Sequence, residues 1–164
     1  MKRWLNWPNM ASSTKLNWVN GIAPFLSNQI QFQDVFDFML DDCGRADKMV
    51  ISSFAISEAL VRRIIRNRHR IDHLTLYLDF TIASRNPRMT MFAAKNVDEL
   101  YLTNNHSKTI YISGNGKEYL AAMSNNATNN HRYESGLICS SREVIDYFLK
   151  QFKQMKNDSV KWDG

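Results

Sequence analysis

At 164 residues, with 44% hydrophobic and 12% aromatic side chains, the chain is long enough to bury one core and too apolar to be disordered throughout. Its formal net charge of +5 fits a polyanionic partner, but such a balance governs association rather than chemistry. There is no apolar run of about 18 residues to span a membrane. The basic start Met1-Lys2-Arg3 leads into no signal-peptide core, and Cys43 and Cys139 form no C-x-x-C. A cytoplasmic chain with no membrane partner is the expectation.

Residues 1–30 read as an N-terminal arm: Trp4, Trp7 and Trp18 stand among amides and serines with little helical period. Packing on the body is the plain role for these tryptophans, with a dimer contact or single-strand stacking as alternatives. The domain proper covers 31–156, and 157–164 is a short tail. Within it, 33–42 reads as a helix with Val35, Phe36, Met39 and Leu40 on one side, ended by Gly44. The apolar run Met49-Val50-Ile51 makes 48–54 a buried strand. Ser57 caps a helix whose core stripe is Ala59, Leu60 and Ile64, joined by Val61, with Arg62, Arg63, Arg66 and Arg70 outward. That basic face is read first as solvated surface and second as a nucleic-acid footprint. Residues 73–80 alternate as a strand, 87–94 as a short helix and 97–102 as a strand. A strand at 135–139 and a helix capped by Ser141, carrying Val144, Ile145, Phe148, Leu149 and Phe152, complete the order. Strand–helix alternation ending in a hairpin predicts an α/β sandwich, a mixed central β-sheet flanked by helices.

The chemistry is concentrated between His106 and Glu134. His106-Ser107-Lys108 is followed by Ser124-Asn125-Asn126 and then by Glu134. On a strand His106 and Lys108 share one face, which continues as Ile110 and Ile112. The run Leu120, Ala122, Ser124, Asn126 makes the reverse change, from apolar to polar. A five-residue loop at 113–117, holding Gly114 and Gly116, closes a hairpin between them. Pairing Ile112 with Glu118 sets Ile110 opposite Leu120, Lys108 opposite Ala122 and His106 opposite Ser124. The polar groups then converge at one end, and a one-residue slip would divide them between two faces. A buried network that merely fixes register is the bland reading of these residues. Burying lysine, histidine and glutamate together argues against it.

These residues resemble the phospholipase D-like superfamily, built on H-x-K followed by a G-S-x-N-like segment, and within it the single-motif nuclease branch. His106 and Lys108 fill the first motif, Ser124 and Asn126 the second, and Glu134 stands where the family orients its histidine. Ser113 stands where the family has an aspartate, and Met123 where it usually has glycine. The resemblance implies the phospholipase D-like sandwich and attack of His106 on phosphorus to give a phosphohistidine. Glu134 would hold the ring, Lys108 and Asn126 the phosphate oxygens, and Ser124 an oxygen or the loop. A second His106, from a symmetry mate, would protonate the leaving oxygen, so a homodimer completes the site. No metal and no cofactor are called for.

His131 and Arg132, on the loop before Glu134, are candidate substrate contacts, with a plain loop role for each as the alternative. His69 and His73 read as surface residues and Asp79 as a cap. The function expected is a metal-independent nuclease, acting on DNA ahead of RNA. The alternatives are a catalytically inactive binding or scaffolding module and, behind it, a lipid phosphodiesterase.

Overall fold

Eight strands, β1 (Ile22–Ser27), β2 (Ala46–Ser52), β3 (Ile71–Asp79), β4 (Glu99–Thr103), β5 (Thr109–Gly114), β6 (Lys117–Met123), β7 (Glu134–Cys139) and β8 (Val160–Lys161), make one sheet in the order β1-β7-β6-β5-β2-β3-β4-β8. The computed structural model describes residues 16–129 and 131–163. The β2, β3 and β4 pairings are parallel and the others antiparallel, which is the mixed sheet expected.

Helices α1 (Phe32–Cys43), α2 (Glu58–Asn67), α3 (Phe80–Arg85) and α4 (Pro87–Ala94) precede the hairpin, and α5 (Arg142–Asn157) follows β7. Phe32, Val35, Phe36, Met39 and Leu40 of α1 and Leu60, Val61 and Ile64 of α2 pack with Met49, Ile51, Leu74, Leu76, Ile110 and Ile112 in the main core. On the opposite face Ile145 and Phe152 of α5 cover Val50, Tyr77, Tyr101, Tyr111 and Leu120. Alternation along each strand sends neighbours such as Ile110 and Tyr111 to these two cores. The caps act as read: Ser57 Oγ accepts from Leu60 N, and Ser141 Oγ from Val144 N.

Two stretches set apart in the sequence join the sheet. β1 falls within 1–30 and pairs antiparallel with β7, while β8 falls within the tail and pairs with β4. Trp18 packs its ring against Phe38 and Tyr119, with centroids 5.6 and 4.9 Å apart. Trp4 and Trp7 lie outside the described residues.

The hairpin register differs by one residue from the expected one. Ser113 pairs with Glu118, Ile112 with Tyr119 and Ile110 with Ala121. The cause is the turn: Asn115 (φ 51°) and Gly116 (φ 73°) form a two-residue link with positive φ at both positions, in place of the five-residue loop. Lys108 therefore lies across from Met123, whose N–H donates to the Lys108 carbonyl at 3.1 Å. The polar residues meet for another reason, which lies beyond the ladder.

Candidate active site

β2, β3 and β4 all end on the same side of the sheet, at Ser52, Asp79 and Thr103, and the segment Asn104 to Lys108 crosses over those ends before β5 begins. The carboxyl ends of parallel strands are the usual place for ligands in open α/β sheets. Here the crossing segment is fixed by one buried side chain. Asn105 is 3% exposed. Its N–H donates to Asp79 Oδ2 (3.0 Å), and its Nδ2 reaches Ser52 Oγ (2.9 Å), Ser53 O (3.2 Å) and Tyr77 O (3.4 Å). Its Oδ1 accepts from Ser107 N (2.9 Å) and Ser107 Oγ (2.7 Å). Ser52 and Ser107 also share a hydroxyl–hydroxyl bond.

With Asn105 and Ser107 held from below, His106 projects outward. It is exposed, its ring centroid 5.4 Å from that of Phe54. Lys108 Nζ lies 2.7 Å from His106 Nδ1 and donates to the His106 carbonyl at 2.7 Å. An ammonium can only donate, so Nδ1 presents its lone pair and the neutral ring carries its proton on Nε2. Partial burial pushes the Lys108 ammonium below its ordinary value, opposed by the nearby Glu134 carboxylate. Glu134 accepts the Ser124 hydroxyl, and Ser124 Oγ in turn accepts from Ser135 N at 2.9 Å. His106 bonds Lys108 and Ser124 bonds Glu134, and the two pairs lie close enough for the Glu134 charge to act on the Lys108 ammonium. They come together because β6 stops at Met123 and Ser124 N turns to Ser135 O (2.8 Å), not because His106 and Ser124 are cross-strand partners.

Asn126 sits two residues on, half-buried, and its Oδ1 has no hydrogen-bond partner among the described residues. The loop that carries it is anchored twice: Asn125 Nδ2 donates to Ile30 O (2.9 Å) and Ala127 N to Ser53 Oγ (3.0 Å). His131 and Arg132 are exposed on the stretch leading into β7. His131 lines a separate cleft with Asn28, Gln29, Gln31, Gln33 and Asn129.

Asp79 caps α3, accepting from Thr81 N and Oγ1 as well as from Asn105. Burial raises its carboxyl, but those hydrogen bonds outweigh it and the group stays below its ordinary value. His73 bonds Glu99 at 3.2 Å, away from the site. Most of the basic stretch is answered by acids: Arg62 by Glu58, Arg63 by Asp37, Arg68 by Asp98 and Arg70 by Asp41. A neutralised face is a poor footprint for a polyanion, which favours the solvated-surface reading.

The two departures from the motif pattern also have places. Ser113 lies at the turn end of β5, the far end of the strand from His106, so its side chain has no part in the His106–Glu134 cluster. Met123 pairs with Gly136, where a Cβ would come within 2.6 Å of Met123 Cβ and 2.7 Å of the Phe25 ring. The space a methionine needs at 123 is supplied by a missing side chain across the ladder. Sequence reasoning passed over Asn105, Ser107 and Ser52. The available signal was Ser52-Ser53 closing an apolar strand, both fully buried.

No family model and no curated protein matches the sequence. Solved structures do match. Nuc from Salmonella typhimurium, a phospholipase D family member, superposes with a TM-score of 0.67 at 10% identity, over 87% of this chain and 99% of its own. NucT from Helicobacter pylori gives 0.69 at 14% identity, over 86% and 98%. TrmBL2, an archaeal chromatin protein with a novel mode of DNA binding, gives 0.61 at 13%, over 87% of this chain and 54% of its own. The chain has the phospholipase D-like fold. Among the described residues no helix is long and apolar enough to cross a membrane, and no three of His, Cys, Asp and Glu gather as a metal site.

Proposed function

We propose that this chain is a phosphodiesterase acting on nucleic acid, DNA ahead of RNA, without a metal ion and through a phosphohistidine on His106. The observation that carries the reading is an exposed imidazole met by a partly desolvated ammonium, both held over the carboxyl ends of parallel strands by the buried Asn105 network.

In the free chain Lys108 occupies the lone pair of His106 Nδ1. An arriving phosphate is the stronger acceptor and draws the ammonium onto its non-bridging oxygens. The ring nitrogen then attacks phosphorus: an N–P bond forms as the P–O bond to the leaving group breaks. Glu134 takes the proton-bearing side of the ring and stabilises the positive charge that develops there, while Asn126 and Ser124 hold phosphate oxygens. Arg132 supplies charge at the rim. The leaving oxygen takes its proton from His106 of a second copy in its imidazolium form, and that ring takes a proton back from the attacking water. Water then cleaves the N–P bond, restoring the imidazole. The single H-x-K in the chain supports a site shared by two copies. Cleavage of labelled single- and double-stranded DNA and RNA in excess EDTA tests the reading. Activity that survives EDTA in the wild type and is lost in His106→Ala supports it.

A second reading, a non-catalytic nucleic-acid module, draws support from the likeness to the DNA-binding TrmBL2. In that case the wild type binds without cutting, and His106→Ala binds as well as the wild type.

A further inference from the structure

We propose that the cleft beside His131 is a subsite for an unstacked nucleobase of a single-stranded substrate, adjoining the phosphate at His106. The proposal rests on the phosphodiesterase reading for its ligand class. The cleft, about 410 Å³, is lined by Asn28, Gln29, Gln31, Gln33, Asn129 and His131. Five of those six side chains are carboxamides and the sixth is an imidazole. A phosphate site would present Lys or Arg. Carboxamides instead offer paired donors and acceptors that match base edges, and an imidazole offers a flat ring for stacking.

Both walls of the cleft are tied to the catalytic cluster. Ser27, which accepts from Gln29 N at 3.0 Å, pairs in the sheet with Glu134. The Ile30 carbonyl accepts from Asn125, the neighbour of Ser124 and Asn126. Under the proposal, a strand whose phosphate lies at His106 lays a neighbouring base in this cleft, on the side of the loop that carries Ser124 and Asn126.

The floor carries the most specific sign. Gln33 is 7% exposed; its Nε2 donates to Asn129 Oδ1 at 2.5 Å, while its Oε1 has no hydrogen-bond partner among the described residues. Leaving a buried acceptor empty is costly unless something fills it. The oxygen is itself covered, and the proposal has the base displace the exposed Asn129 side chain, which is bonded to the same amide. The exocyclic amine of adenine, guanine or cytosine is a fitting donor.

Fluorescence anisotropy on the full chain in EDTA, with His106→Ala to prevent cleavage, compares oligodeoxyadenylate with an all-abasic strand of equal length. The two carry the same phosphates and differ only in bases. The expected result is roughly tenfold tighter binding of the base-bearing strand. Gln33→Met should bring the ratio toward one. Because Gln33 is buried, His131→Ala on the exposed rim serves as the second variant and should also lower the ratio. Equal affinity for the two strands, or a ratio unchanged in both variants, overturns the base subsite and leaves the phosphate site standing. Binding of neither strand overturns the nucleic-acid reading together with the subsite.

Discussion

Glu99 and Glu134 lie at opposite ends of the sheet, and each accepts from a hydroxyl and acts on the charge of a lysine. Glu99 opens β4, at the amino ends of the parallel strands. It accepts from the Tyr101 hydroxyl (2.7 Å), His73 (3.2 Å) and Lys156 (3.3 Å), with Lys161 Nζ at 3.8 Å. The Tyr101 hydrogen bond, opposed by burial and joined by His73 and Lys156, lowers its carboxyl to about 2. Each charge there is answered by another side chain of the chain. At the carboxyl ends the order is inverted. The cation Lys108 sits on an exposed imidazole, burial of its ammonium outweighs the pull of Glu134, and Glu134 is engaged by Ser124. What is satisfied at this end is the scaffold beneath, around Asn105. A structural cluster closes on itself; a site is held from below and left open above.

The sharpest way to break this comparison is His106→Ala. Cleavage should fall by about 10³-fold or more, while stability in urea moves by no more than about 0.5 kcal/mol. A large loss of stability would make the His106 cluster structural, like that of Glu99. Asn105→Ala comes next: turnover should drop about 10²-fold through misplacement of His106, with KM little changed. The same change should cost about 1–3 kcal/mol of stability by orphaning its buried partners. Asn105→Asp, which keeps the acceptor for Ser107, should fall between Asn105→Ala and the wild type.

Glu99→Gln should show the reverse pattern, unchanged cleavage with a stability loss on the order of 2 kcal/mol at neutral pH. The folded carboxyl is held at about 2 against an ordinary 4.5. Its contribution is therefore complete above about 4.5 and fades as pH falls toward 2, a slope in urea midpoints that the variant should lack. The smallest effect concerns Lys108. Its ammonium lies below the ordinary 10.5, so cleavage should decline on an alkaline limb beneath that value as the charge is lost. Lys108→Arg should remove that limb.

Much of this molecule is legible in its sequence where local chemistry decides. The short helix expected near Pro87 to Ala94 is present, with Pro87 at its first turn, and Ser57 and Ser141 cap as their positions imply. The hairpin register was recoverable too, since Asn115-Gly116 is a strong two-residue turn signal, and treating both glycines as one longer loop cost one residue of register. β1 was harder to see. Pro24 interrupts it, which is tolerated because β1 is an edge strand, a fact that exists only in the assembled sheet. Asn105 was hidden for a similar reason: alone it is one more loop asparagine, and its role depends on Ser52, Ser53, Tyr77 and Asp79 arriving from two other strands.

The most direct measurement of the central claim is a search for the covalent intermediate. The wild type is incubated with a phosphodiester labelled at the scissile phosphate, quenched in alkali and digested for peptide mapping. Label on His106 that is stable to alkali, labile to acid and absent from His106→Ala is the result expected. Cleavage that proceeds at full rate in His106→Ala, or label on another residue, would contradict it.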